Sequence, residues 1–369
     1  MKIAVLTSSR ADYSIYFPLL KVLREDKFFD LNIIAFGTHL SLKYGETVKN
    51  ILVDGFEVSV KVDTMPENDR PEAISGAMGK AIMNFSKVWN GQYFDLIIAL
   101  GDRYEMFAAC AASVPFGIPL AHIHGGETTL GTIDEVFRNS ITQMAAWHFT
   151  TTEQYKKRVI ALKGDDAHIY NVGALSMDNL RSLKLLSIGE FRERFGIDMD
   201  IPSILITFHP ETVSFEKNEL YIEELIGALR LIKGYQFIIT MPNADTMGNM
   251  IRTRLEAFIS ENEQAVGIES FGTLGYLSCM KYCSMLLGNT SSGFVEAAYF
   301  PKNVINLGER QSGRIITENI MNCPLEKDRI VRAVEHFKYI QLPSSVNVYG
   351  NGQTAGSIAD ILKSIFTTR

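Results

Sequence analysis

Cysteine, tryptophan and long apolar runs are all scarce in this chain. Of its 369 residues only four are cysteine (Cys110, Cys279, Cys283 and Cys323) and two are tryptophan. Four scattered cysteines make no disulfide framework for a protein of this size, and the expectation is buried, reduced thiols. Cys279 and Cys283, four apart in a helix-like segment, share one face, which leaves a metal or redox pair as the alternative. Positive charge is also short: 36 Lys and Arg stand against 42 Asp and Glu, a net charge of −6 with a pI near 5.7. That balance favours neither a nucleic-acid backbone nor an anionic membrane as partner, so any phosphate must be bound locally. The opening stretch MKIAVLTSSR carries an apolar run too short for a signal-peptide core or a membrane span. It reads as a first strand, and the expected location is the cytoplasm.

What the chain has instead is an ordinary globular composition, 46% hydrophobic and 21% charged, long enough for two domains. Short runs rich in Val, Ile and Leu alternate with stretches of helical period. KIAVLT precedes 13–25, LNIIAF precedes 41–52, FDLIIAL precedes 104–115 and PLAHI precedes 133–145. Such alternation predicts parallel strands with crossover helices. The pattern pauses around 172–200 and restarts with SILITF, a helix near 216–231, QFIITM, a helix near 246–262 and a short strand near 266–270. A helix near 273–282, SMLLG, a helix from about 292 and NVINL follow. The expected architecture is therefore α/β, with two Rossmann-like doubly wound domains facing a cleft. Residues 1–172 form the N-terminal one and 173–354 the C-terminal one, with a terminal helix over 355–369 packing back on the first. Ligands of open α/β sheets bind outside the carboxyl ends of the strands, so functional residues should follow strands.

Several motifs do. SSRADYS puts Arg10 and Ser14 at a strand-to-helix turn suited to a phosphate, although a capped helix start with a solvated arginine accounts for it equally. GNTSSGFVEAA offers Thr290, Ser291, Ser292 and Gly293 as a pyrophosphate cradle and Glu296 as an acceptor for a ribose diol. It matches neither G-x-G-x-x-G nor a P-loop, and a helix capped by hydroxyl residues is the alternative. LGERQSGR brings Arg310 and Arg314 after another strand. GDRYE supplies Asp102, Arg103 and Glu105 at the end of FDLIIAL, and HIHGGE supplies His122, His124 and Glu127 at the end of PLAHI. Asp102 and Glu127, on neighbouring strand ends, could share a pocket and split into an acid and a base. Asp134 and Arg138, four apart, either join that site or pair with each other. FHPET contributes His209, and PNADT contributes Asn243 and Asp245 as sugar or uracil contacts.

His122 and His124 also raise a metal reading, because H-x-H occurs in metallohydrolases. Yet H-E-x-x-H and the H-x-H-x-D-H extension are absent, and His39, His148, His168, His209 and His336 stand alone. A Mg²⁺ site on Asp102 and Glu127 stays open at this point.

Together SSRADYS, LGDRYE, HIHGGE, GTIDE, FHPET, NADT, GNTSSG and GERQSGR, in this order and over nearly the whole chain, resemble hydrolysing UDP-N-acetylglucosamine 2-epimerases of bacterial sialic acid biosynthesis. Non-hydrolysing relatives carry G-T-R-P-E and E-A-G-L-R type sequences where this chain has SSRADY and HGGE. The resemblance implies the two-Rossmann glycosyltransferase-B fold, homodimers or homotetramers, a UDP-sugar substrate, and no metal or other cofactor. By resemblance, Arg10, Ser14, Thr290, Ser291, Glu296 and Arg314 fall on nucleotide-contact positions. Asp102, Glu127, Asp134 and His209 fall on positions for catalysis or the sugar; His124, outside that set, is a further candidate for handling protons in the hydration step. Thr290 stands where serine is commoner, which keeps the hydroxyl. The implied reaction eliminates UDP to give a 2-acetamidoglucal and then hydrates it.

Overall fold

Alternate residues of a strand belong to different cores in the first sheet, which explains why its strands read as unbroken apolar runs. In the computed structural model, which describes residues 1–242, 248–340 and 348–367, Ile3 and Val5 face one buried cluster while Ala4 and Leu6 face another. Leu96 and Ile98 divide from Ile97 and Ala99 in the same way. A strand covered by helices on both sides has no polar face to show.

The chain divides into two units. The first comprises Met1–Glu127, Asp134–Ser182 and Val348–Arg369, and the second Thr128–Ile133 and Leu183–Asn347. Strands of the first unit are β1 (Lys2–Thr7), β2 (Asp30–Phe36), β3 (Val58–Val62), β4 (Leu96–Leu100), β5 (Leu120–Ile123), β6 (Trp147–Thr150) and β7 (Ile169–Asn171). Its helices are α1 (Arg10–Glu25), α2 (Val48–Val53), α3 (Pro71–Gly91), α4 (Tyr104–Ser113), α5 (Asp134–Met144), α6 (Glu153–Lys163) and α7 (Leu175–Ser182). The second unit holds α8 (Ile188–Phe195), β8 (Ser203–Thr207), α9 (Asn218–Leu231), β9 (Gln236–Thr240), α10 (Gly248–Glu261), β10 (Ala265–Ile268) and α11 (Gly272–Tyr282). It continues with β11 (Met285–Gly288), α12 (Glu296–Tyr299), β12 (Val304–Leu307), β13 (Ile320–Cys323) and α13 (Lys327–Phe337), after which α14 (Thr354–Thr367) returns to the first unit.

Within each unit every strand pairing is parallel among the described residues. The orders are β3-β2-β1-β4-β5-β6-β7 and β10-β9-β8-β11-β12-β13. Both reverse direction at one place, between β1 and β4 and between β8 and β11. Loops leaving the carboxyl ends there diverge and open a crevice.

Three details depart from the sequence reading. Residues 41–52 hold one short 3-10 turn, Leu42–Tyr44, followed by α2 from Val48, not one helix. The boundary expected at 172 falls instead after Ser182, because α7 packs on α1 and α14. Asp178 of α7 seals that packing by accepting the backbone N–H groups of Thr354 (3.0 Å) and Ala355 (2.8 Å) at the start of α14. Finally, the helix expected from about 292 is a 3-10 turn, Ser291–Gly293, followed by the four-residue α12.

Helix α1 also contains Pro18, which cannot donate to the carbonyl of Ser14 one turn earlier. The buried Asn179 of α7 replaces the missing donor, with Nδ2 at 2.8 Å from Ser14 O. Ser14 is thus half-buried at the joint between two helices.

Candidate active site

At the switch point of the first sheet, the β1–α1 turn is organised around an internal carboxylate. Asp12, buried, accepts the Thr7 and Ser8 hydroxyls and the N–H groups of Ser8 (2.8 Å) and Ser9 (3.0 Å). Because Thr7 Oγ1 donates to Asp12, it accepts from His39 Nε2 at 2.9 Å, which leaves His39 Nδ1 to accept the Thr47 hydroxyl at 2.8 Å. Burial pulls His39 below its usual range, against the opposing charge of Asp12. The turn expected to cradle a phosphate therefore directs two of its N–H groups inward to Asp12. Arg10, the first residue of α1 after the Ser9 cap, is its half-buried cation.

Across the switch point, β4 ends at Gly101 and delivers Asp102, whose carboxylate pairs with the guanidinium of Arg138 on α5. Arg138 is 3% exposed, so this ion pair is anchored from the buried side. Asp134 opens the same helix one turn earlier. Arg103 turns its Nε to Glu105 at 2.6 Å, a carboxylate 1% exposed at the start of α4. The neighbouring strand β5 carries HIHGGE, and its two histidines differ sharply. His122 is fully buried, with Nε2 at 2.8 Å from Gly101 O and Nδ1 at 3.1 Å from the Thr142 hydroxyl. A carbonyl only accepts, so Nε2 carries the proton, and burial pulls His122 down to about 4. Both ring nitrogens are taken, which removes His122 from the metal reading. Among the described residues, no three His, Cys, Asp or Glu side chains gather in a metal-binding group.

His124 lies in the left-handed region at φ 66° and brings Nδ1 to 3.3 Å from Glu127 Oε1. Thr151, just after β6, donates its hydroxyl to the same oxygen at 3.1 Å, and Glu127 is buried. The glycines between them answer to packing. Gly126 has φ 80°, and a Cβ there would sit 2.4 Å from Tyr155 O on α6, while one on Gly125 would press on His122 and Thr142. Arg158 of α6 closes the loop through Gly126 O at 3.1 Å. The result is a fixed turn that holds Glu127 at the end of β5, beside the strand that delivers Asp102.

In the second unit the matching switch point joins β8 and β11. His209 follows β8, and the amide of the fully buried Asn289 clamps its backbone: Oδ1 accepts the His209 N–H at 2.7 Å and Nδ2 donates to its carbonyl at 2.8 Å. Gln311 donates to Asn289 O at 2.8 Å and accepts Arg314 Nε at 2.6 Å. Arg314 is buried, with its guanidinium 6.0 Å from the Phe294 ring centroid. Thr290 and Ser292 bring their hydroxyls within 3.2 Å of each other, and Ser292 meets the Tyr276 hydroxyl at 2.6 Å. In this turn the N–H groups of Gly293, Phe294 and Val295 are bonded back to Thr290 and Ser291. Ser291 is exposed and Glu296, half-buried, follows at the start of α12.

Gly288 answers to packing: at φ 146°, a Cβ would lie 2.0 Å from Thr207 O on the neighbouring strand. We expect Gly288→Ala to lower stability by about 3 kcal/mol or more in urea unfolding. A loss below about 1 kcal/mol would show that the strand pair can part to admit a methyl group. Asn243 and Asp245 lie outside the described residues.

Sequence reasoning missed the residues that hold the others in place. Thr151 sits beyond WHFT, a strand that the alternation did not reveal. Asn289 and Gln311 lay inside motifs already singled out, but as neighbours of the hydroxyls and arginines.

Both units thus place polar and ionisable side chains where β1 meets β4 and β8 meets β11. Two named proteins are similar to this chain over nearly its whole length. UDP-N,N'-diacetylbacillosamine 2-epimerase (hydrolyzing) of Legionella pneumophila is 32% identical over 99% of this chain and 96% of its own. Polysialic acid biosynthesis protein P7 of Escherichia coli is 36% identical over 94% and 90%. The structure of a UDP-GlcNAc 2-epimerase from Neisseria meningitidis bound to UDP-GlcNAc superposes with a TM-score of 0.82 at 18% identity, covering 99% of this chain and 100% of that one. At that identity it speaks for the fold, which is of the glycosyltransferase-B type. The family model for UDP-N-acetylglucosamine 2-epimerase, Epimerase_2, matches residues 21–363. The chain belongs to the UDP-N-acetylglucosamine 2-epimerase family and is an enzyme of its hydrolysing UDP-sugar type.

Proposed function

We propose that the enzyme converts UDP-N-acetylglucosamine and water to N-acetylmannosamine and UDP, the entry step of sialic acid biosynthesis. The observation that carries this reading is the pair of carboxylates on adjacent strand ends, Asp102 held by Arg138 and Glu127 held by Thr151 and His124. The E. coli relative named for polysialic acid biosynthesis supports the pathway.

The proton at C2 of the sugar is weakly acidic, so C1–O cleavage runs ahead and charge develops on the ring while a carboxylate takes that proton. Glu127 is suited to this task because Thr151 and His124 hold its carboxylate at the end of β5. Asp102, paired with Arg138, is suited to stabilising the developing positive charge and to guiding hydration of the glucal, in which water adds at C1 and a proton reaches C2 on the face opposite the one it left. His124 and Asp134 assist with protons in that second step, and His209 contacts the sugar. Departing UDP gains charge on its β-phosphate, and Arg10 and Arg314 are the cations proposed to meet it. Ser14, Thr290, Ser291, Ser292, Gly293 and Glu296 are the further nucleotide contacts. No cofactor takes part. Arg103, Asn243 and Asp245 stay as proposed substrate contacts, and a homodimer or homotetramer in the cytoplasm completes the proposal.

The Legionella relative favours a second reading, in which the substrate is UDP-N,N'-diacetylbacillosamine. Turnover of the two UDP-sugars in D₂O, followed by NMR, tests both readings. UDP and N-acetylmannosamine deuterated at C2 should form from UDP-N-acetylglucosamine with the higher kcat/KM. Faster turnover of the diacetamido sugar would assign the second reading instead. Protium retained at C2 would remove exchange of the abstracted proton with solvent from the mechanism.

A further inference from the structure

Glu211, two residues after His209, takes no part in the chemistry proposed above, yet it is a carboxylate 2% exposed. Its Oε1 accepts the N–H of Glu309 at 2.7 Å. The carboxylate is held to this task from behind. Fully buried Asn218 accepts the N–H of Glu211 and donates to its carbonyl, each at 2.9 Å. The loop is shaped to receive it, since Gly308 has φ 68° and a Cβ there would stand 2.4 Å from Glu211 Oε1. Arg310 adds a bond from Nε to Pro210 O at 3.2 Å.

Burying a carboxylate costs several kcal/mol, and an apolar contact would join the two loops more cheaply. What the carboxylate supplies and an apolar side chain does not is the conformation of the Glu309–Arg314 backbone. That loop ends in Gln311, bonded to Asn289 O, and Arg314, bonded to Gln311. Fixing Glu309 and Arg310 therefore fixes the position of the Arg314 guanidinium.

We propose that Glu211 is a positioning residue that holds the Glu309–Arg314 loop in the shape in which Arg314 meets the diphosphate of UDP. The proposal rests on the reading of Arg314 as a nucleotide contact. The test is UDP binding by calorimetry on Glu211→Ala, Arg314→Ala and the double variant, with thermal unfolding of each. Glu211→Ala should bind UDP at least about tenfold more weakly, equivalent to 1.4 kcal/mol, while unfolding cooperatively. Glu211→Gln, which keeps an acceptor oxygen at the same reach, should recover most of that loss. In the Arg314→Ala background the Glu211→Ala effect should vanish, which a purely structural role would not produce. Should Glu211→Ala fail to fold, Glu211→Asp replaces it throughout, because it keeps the charge and shortens the reach. A folded variant that binds UDP like the parent overturns the proposal, and so does a full effect persisting without Arg314. Undiminished UDP binding by Arg314→Ala would instead overturn the nucleotide reading of Arg314.

Discussion

Glu127→Gln is expected to lower kcat by about 10² to 10⁴, the range that a positioned acid or base contributes, with UDP affinity unchanged. The replacement is close to isosteric, and the amide can still accept from Thr151, so folding should be spared. Asp102→Asn should lose activity on the same scale but behave differently in unfolding. It removes the carboxylate paired with Arg138, which is 3% exposed; breaking a fully buried pair from one side costs about 3 to 5 kcal/mol, and the loss here should fall at the lower end because Asp102 is 22% exposed. The two variants together separate chemistry from support: urea unfolding should mark Asp102→Asn alone, and steady-state turnover should mark both. Turnover at the parent rate in Glu127→Gln would remove that carboxylate from the mechanism.

Acid should destabilise the fold well above the carboxylate range. His122 and His148 are partners across β5 and β6, both essentially unexposed. Burial pulls His122 down to about 4 from 6.5 and His148, with His122 and Lys163 adding, down to about 3. A folded-state value below the unfolded one means that the unfolded chain binds more protons in that window, so stability rises with pH. The contribution is complete above about 6.5 and is lost at about 1.4 kcal/mol per pH unit per histidine as pH falls toward 4. Burial raises Asp178 and Glu211, which act in the opposite sense, so the measured slope is a sum. Unfolding free energies at pH 7 and 5 on the parent and His148→Phe isolate one share. The variant should show the shallower dependence, and identical slopes would mean that His148 is not held neutral.

Strands such as FDLIIAL and SILITF declared themselves because helices bury both their faces, and period and composition then agree. The edge strand β3, VSVKV, alternates exposed and covered positions, and β7 has three residues, so neither rises above its surroundings. Helix α3 carries Gly76 and Gly79 on its exposed side, and their low helix propensity thins the signal of the face marked by Ile74, Ala77, Ala81, Phe85 and Trp89. In the site, strand-end placement made Asp102 and Glu127 legible. The Asp102–Arg138 pair was not, since Asp134, four residues before Arg138, is an equal candidate in any sequence-based reading. Deciding between them needs the spacing of β4 and α5, which His122 and Thr142 help to set.

The first unit is begun first and finished last. Ala355, Ile358, Ala359 and Leu362 of α14 share a core with Tyr16, Leu19, Leu20 and Leu23 of α1. On the ribosome, that face of α1 waits uncovered while the whole second unit is synthesised, because the helix that covers it is encoded at the far end. Vectorial synthesis therefore lets Leu183–Asn347 complete its own core before the unit carrying Asp102 and Glu127 can close.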